Sequence, residues 1–159
     1  MRLREAILAD LPRLQREAEQ LGRINIQDGT KGGRSGASAP RWITVNDHIR
    51  DALRFAEQVS PDRSPNLLAP NERYLDFLQR IVRPARDILH KHDLKGFHEV
   101  RAAYACERYE QIIHHPAPIN GGHCYQFDRC LDQDARAKIS YELGHNRIVV
   151  VAAYIGGRV

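Results

Sequence analysis

At 159 residues, with 42% hydrophobic and 28% charged side chains, the chain has the composition of a folded globular protein, which excludes wholesale disorder. Its length is that of one ordinary domain, so a single compact unit, residues 1–159, is expected. The net charge of +4 rests on 20 arginines against 4 lysines, which permits an anionic partner without requiring one, because guanidinium groups grip phosphate oxygens in bidentate fashion.

No apolar run approaches the ~20 residues that cross a bilayer, and the stretch Met1-Arg2-Leu3-Arg4-Glu5 lacks the apolar segment of a signal peptide. A cytoplasmic protein with no membrane partner is therefore expected. Its cysteines, Cys106, Cys124 and Cys130, are odd in number and carry no secretory cue, so they read as reduced thiols rather than a disulfide framework.

In chain order, Leu3, Ile7, Leu8, Leu11, Leu14, Ala18 and Leu21 recur at helical spacing, interrupted at Pro12, and predict two short helices or one kinked helix. Arg23 to Gln27 and Arg41 to Val45 alternate as strands do, on either side of a Gly- and Ser-rich segment, and predict a hairpin with a long basic tip that carries Lys31 at its mouth. Asn46 or Asp47 caps a helix to about Val59, and the prolines of Ser60 to Pro70 mark an ordered loop.

Helical spacing resumes at Asn71, meets Pro84 and runs on towards Lys95-Gly96, which fits a helix pair. A further helix is predicted from Phe97 to Ile113, then a breaker cluster from His114 to Gly122. The next helix starts at Asp132 or Asp134 and ends at Gly144. The run from Ile148 to Tyr154 is ambiguous between strand and helix. The fold class is thus mainly α with a small antiparallel β-hairpin.

Breaking a phosphodiester without a metal requires a nucleophile, positive charge on the two non-bridging oxygens and an acid for the departing oxygen. A phenol ordinarily keeps its proton to about pH 10, so a tyrosine nucleophile needs a base or a cationic field beside it. The chain offers Tyr154 as nucleophile, nine positions after Leu143-Gly144-His145, with His98-Glu99-Val100-Arg101 upstream at a helix start. Each short motif alone is ordinarily a surface, capping or core pattern; only the ordered set carries weight.

That set resembles the catalytic domain of the tyrosine recombinases, the phage-integrase family. His98-x-x-Arg101 is similar to the family's second box, Leu143-Gly144-His145 to its third, and Tyr154 stands where the nucleophile belongs. Arg2, followed three residues later by Glu5, looks like the end of the first box, and Lys31 is similar to the mobile lysine between two strands. The resemblance implies a tyrosine-recombinase-like core that cuts and rejoins double-stranded DNA in site-specific recombination or integration, as mobile elements do. In it Tyr154 attacks the scissile phosphate to give a 3′-phosphotyrosine and a 5′-hydroxyl. Arg2 and Arg101 clamp the non-bridging oxygens, His145 adds a hydrogen bond to the phosphate, Lys31 protonates the leaving oxygen, and His98 acts in proton transfer near the nucleophile. Glu5 supports the arginines. No metal and no nucleotide cofactor is implied.

Family members carry more catalytic domain before the first box, and before that a DNA-clamping domain; here Met1 abuts Arg2, so the chain reads as a truncated catalytic core. The family's docking tail has no counterpart after Tyr154, which leaves open a homo-oligomer on DNA. The rival reading is a non-catalytic DNA-binding or interaction remnant. Arg34, Arg41, Lys31 and a helix bearing Arg80, Arg83 and Arg86 are candidate phosphate contacts. Between Arg101 and His145 lie 43 residues, a surplus placed in Tyr109 to Cys130. His114, His115, His123, Cys124 and Cys130 there have zinc-binding atoms without a recognised finger spacing, so a zinc-binding helical module is the third reading and a polar loop the ordinary one.

Overall fold

A computed structural model of the chain describes residues 1–30, 40–123, 128–145 and 147–157. The expectations placed on Lys31, Arg34 and Cys124 lie outside these residues. The protein is mainly helical with one two-stranded antiparallel sheet, and it divides into two compact units, Met1–Ile88 and Leu89–Val159.

The first unit opens with α1 (Leu3–Ile7) and α2 (Leu11–Leu21), so the interruption at Pro12 resolves into two helices. Pro12 sits in the first turn of α2, where its missing N–H costs nothing, while the Asp10 carboxylate accepts the N–H of Arg13 at 3.0 Å. Gly22 ends α2 at φ 62 and hands the chain to β1 (Arg23–Asn25), which pairs with β2 (Trp42–Thr44) in the register Ile24 opposite Ile43. The alternation turns Ile24 and Ile43 inward and leaves Arg23 outside, its guanidinium 4.7 Å over the Trp42 ring. Asn46 caps α3 (Asp47–Val59) by accepting the N–H of Ile49 at 2.9 Å. Ala9, Leu11, Leu14, Ala18, Ile24, Ile26, Ile43, Val45 and Leu53 close over one another as this unit's core.

Helix α4 (Tyr74–Phe77) begins three residues after Asn71 and runs without a break through a π-helical turn, Leu78–Val82, into α5 (Arg83–Lys91). The expected helix pair is instead one helical stretch across Pro84. A proline ring collides with the carbonyl four residues back in a regular helix; here the preceding turn is widened, with Arg83 N–H donating to Leu78 O, and the backbone passes the proline without ending.

The second unit is built on α6 (Phe97–Ile113) and α7 (Arg129–Glu142), followed by a 3-10 turn (Ile148–Val151) and the short α8 (Ala152–Ile155). The ambiguous run before Tyr154 is therefore helical. Helix α7 starts before the expected Asp132 or Asp134, because Asp128 takes the cap by accepting the Cys130 N–H at 3.0 Å. Asp132 is 1% exposed and serves the interior: it accepts from Tyr109 Oη at 2.7 Å and from Arg136 Nε at 3.0 Å. Ala105, Tyr109 and Ile113 recur every fourth residue on α6 and meet Ala135, Ile139 and Leu143 of α7 with Val151, Tyr154 and Ile155. Tyr109, Ile113 and Ala117 belong to this core, whereas His114, His115 and His123 are exposed, as expected of a polar loop.

Candidate active site

Helix α6 supplies the first half of the site. His98, Arg101 and Ala105 lie on one stripe at helical spacing, and the stripe runs from an exposed His98 down into the core. Gly96 precedes the helix at φ 142, and Lys95 N–H donates to the Glu99 carboxylate at 2.8 Å across its first turn.

The second half is the end of α7, where Leu143-Gly144-His145 has a defined physical role. Leu143 is 2% exposed and anchors the helix end in the core. Gly144 turns left-handed at φ 71, its N–H donating to Tyr141 O at 2.9 Å, while His145 N–H reaches Ser140 O at 2.9 Å. These two bonds form a Schellman cap, in which glycine is favoured because a Cβ strains the left-handed conformation. The motif therefore ends the helix and places His145 just beyond its end. Arg101 completes the join by donating from Nη2 to Leu143 O at 3.0 Å, a cation on a carbonyl left open at a helix C-terminus.

Tyr154 closes the group. Its ring is 4% exposed, and its hydroxyl lies 2.9 Å from His145 Nε2. Arg101 Nη2 approaches the same nitrogen at 3.4 Å. A guanidinium only donates, so Nε2 is the acceptor of this pair and the ring proton belongs on Nδ1. His98 meets Tyr154 through its ring, centroid to centroid 5.1 Å at 54°, rather than at the hydroxyl. The Tyr154 carbonyl accepts from Cys106 Sγ at 3.6 Å on α6. Two residues on, the Gly156 carbonyl accepts from Arg136 Nη1 at 3.1 Å, and a Cβ on Gly156 would stand 2.9 Å from Ile119 N. The short α8 is thus pinned on both sides.

Four of the six expected site residues, His98, Arg101, His145 and Tyr154, come together in the second unit. The hydrogen-bond partner of the phenol is His145, and His98 lies beside its ring. Arg101 Nη1 is buried and lacks a hydrogen-bond partner among the described residues. A buried donor left unpaired costs on the order of 1–3 kcal/mol.

Arg2 belongs to the first unit. Its backbone N–H donates to Glu5 Oε2 at 2.5 Å, and its guanidinium lies 3.7 Å from Glu5 Oε1. Glu5 is 1% exposed and takes a two-pronged ion pair from Arg41, with Nη1 to Oε1 at 3.1 Å and Nη2 to Oε2 at 2.7 Å. Arg41 was expected to reach for phosphate; it is buried against Glu5 instead, since an unpaired carboxylate at that depth is strongly disfavoured. Gly29, at φ 65, packs on α1 so closely that a Cβ would stand 2.7 Å from Arg4 O. Of the expected basic helix face, Arg80 is paired with Glu72 at 2.8 Å, whereas Arg83 and Arg86 are exposed.

The site contains residues that sequence reasoning missed. Glu142, the last residue of α7, is 3% exposed and accepts from Tyr104 Oη at 2.9 Å and from Arg108 Nε at 3.1 Å and Nη2 at 3.1 Å. Burial of Tyr104, then the charge of Glu142 beside it, pushes the phenol well above its ordinary range, so it stays a donor. The signal was present: Tyr104 and Arg108 follow Arg101 by three and seven residues, on neighbouring positions of one helix face. Among the described residues no group of three or more His, Cys, Asp or Glu side chains is gathered to hold a metal.

The chain matches no family model, no curated protein and no solved structure.

Proposed function

We propose that this protein cuts and rejoins DNA strands through Tyr154. The observation that carries the reading is the chain of contacts from Arg101 through His145 Nε2 to the Tyr154 hydroxyl, formed within one unit by residues 44 and 9 positions apart. It combines a nucleophile, a base within hydrogen-bond reach and a guanidinium beside both, which is the set that metal-free phosphoryl transfer asks for.

In the proposed step the Tyr154 phenol gives its proton to His145 Nε2 and its oxygen bonds to phosphorus. The bond from phosphorus to the 5′-oxygen breaks, and that oxygen leaves as a hydroxyl after taking a proton, the task the resemblance gives to Lys31. Arg101 holds the charge that builds on the non-bridging oxygens. The covalent 3′-phosphotyrosine conserves the bond energy, so attack by a 5′-hydroxyl reverses the step and joins strands.

A second reading, a DNA-binding or interaction protein that does not cleave, draws on the burial of Tyr154, which keeps its hydroxyl on His145 and its ring in the core. One experiment separates the two. The protein and a Tyr154→Phe variant are incubated with a pool of nicked duplexes of varied sequence, and DNA-bound protein is resolved in SDS. Strand cleavage yields an SDS-resistant adduct that the variant does not form, with the mass of a nucleotide on the peptide containing Tyr154. Duplex binding without any adduct means that the non-cleaving reading holds.

A further inference from the structure

We propose that Glu142 is the positioning residue of the Tyr154 site, and that Tyr104 and Arg108 hold it so that the helix end carrying His145 keeps its place against the helix carrying His98 and Arg101. The inference rests on the reading of Tyr154 as a nucleophile, and it adds a role for three residues that touch none of the reacting atoms.

The geometry is specific. Glu142 comes immediately before the Leu143-Gly144-His145 cap, and both of its oxygens are engaged by α6. Tyr104 donates at 2.9 Å, and Arg108 spans both oxygens through Nε and Nη2. A forked contact of this kind sets rotation as well as distance. Arg101 lies one turn earlier on the same helix and grips the next carbonyl along, that of Leu143. Two successive residues of the α7 terminus are therefore tied to two successive turns of α6. Past them the Schellman cap is a rigid backbone turn, so an orientation set at Glu142 reaches the His145 ring three residues later.

Stability alone does not account for a carboxylate here. At 3% exposure an ionised group loses its hydration, and well-packed apolar side chains in place of the whole Glu142, Tyr104 and Arg108 cluster serve stability at least as well. What the carboxylate adds is direction, and direction matters where Nε2 must sit 2.9 Å from a phenol oxygen.

The test uses the full chain with 15N-labelled histidine, in which the Nε2 signal of His145 is assigned by its loss in His145→Gln. The difference between the native chain and Tyr154→Phe defines the signal of the hydrogen bond to the phenol. We expect Tyr104→Phe and Glu142→Gln to remain folded by circular dichroism and to move the His145 signal towards its Tyr154→Phe position. The adduct rate at saturating DNA falls on the order of tenfold, with half-saturation unchanged. A core variant, Ile113→Val, keeps the native ring signal despite a lower melting temperature. The proposal is overturned if Tyr104→Phe keeps the native His145 signal, or if Ile113→Val moves that signal as far. Should Glu142→Gln fail to fold, Tyr104→Phe decides alone, because it preserves the Arg108 pair. Absence of an adduct from the native protein counts against strand cleavage, whereas the ring signal is read without DNA and judges the positioning role separately.

Discussion

Glu5 illustrates how one side chain ties a motif to folding. Burial pushes its carboxyl upward, but hydrogen bonds from Arg41 and from the Arg2 N–H, with the charge of Arg41, outweigh that and leave it below the ordinary glutamate value of 4.5. A carboxyl lowered in the folded state contributes stability that is present above the unfolded value and is lost as pH falls through the folded one. We expect the first unit to lose stability on acidification below about pH 4.5, as the Glu5–Arg41 pair is protonated apart. In Glu5→Gln that part of the slope disappears while stability at neutral pH drops, because Arg41 is left buried without its partner. Urea titrations of both chains at a series of pH values check this; parallel slopes mean that Glu5 does not govern the acid limb.

At the scale of the element, the end of α7 shows why a three-residue motif is short and yet demanding. Leu143 needs the core, Gly144 needs a left-handed backbone, and His145 is delivered as a consequence of the other two. Gly144→Ala is expected to cost ~1–2 kcal/mol for its positive φ and to lower adduct formation more than that loss of folded protein explains, since the cap also aims His145. Gly157→Ala is the control: its Cβ meets nothing within 4 Å, and stability should stay unchanged. Equal effects of the two substitutions on the adduct rate would mean that the cap does not aim His145. The π-helical turn before Pro84 makes the same point differently. The proline was legible as a break, but a helix can widen by one residue per turn and continue, and the energetic balance between stopping and widening lies in packing that no local pattern reports.

For the whole molecule, each of the two units closes its own apolar cluster, one from Ala9 to Leu53 and the other from Ala105 to Ile155. Units of this size sit near the lower limit for a self-sufficient core. We expect two unfolding transitions in urea. Trp42, the sole tryptophan, reports the first unit by fluorescence, and the His145 ring signal reports the second. Coincident midpoints and slopes from both probes mean a single cooperative fold instead.

Helices α2, α3 and α6 and the two hairpin strands were legible in the sequence because their causes are local: apolar spacing, Asn46 as a cap, and alternation along each strand. The ordered set of His98, Arg101, His145 and Tyr154 was legible for the same reason, each motif being a few adjacent residues. The pairings were not. That Arg41 is spent on Glu5 and that Glu142 joins Tyr104 and Arg108 depend on contacts between residues 34 to 38 positions apart. A charged side chain reads alike in sequence whether it faces water or a buried counter-charge. The choice falls to the tertiary structure, because desolvation, which penalises every unpaired buried charge, exists only once the chain has closed around it.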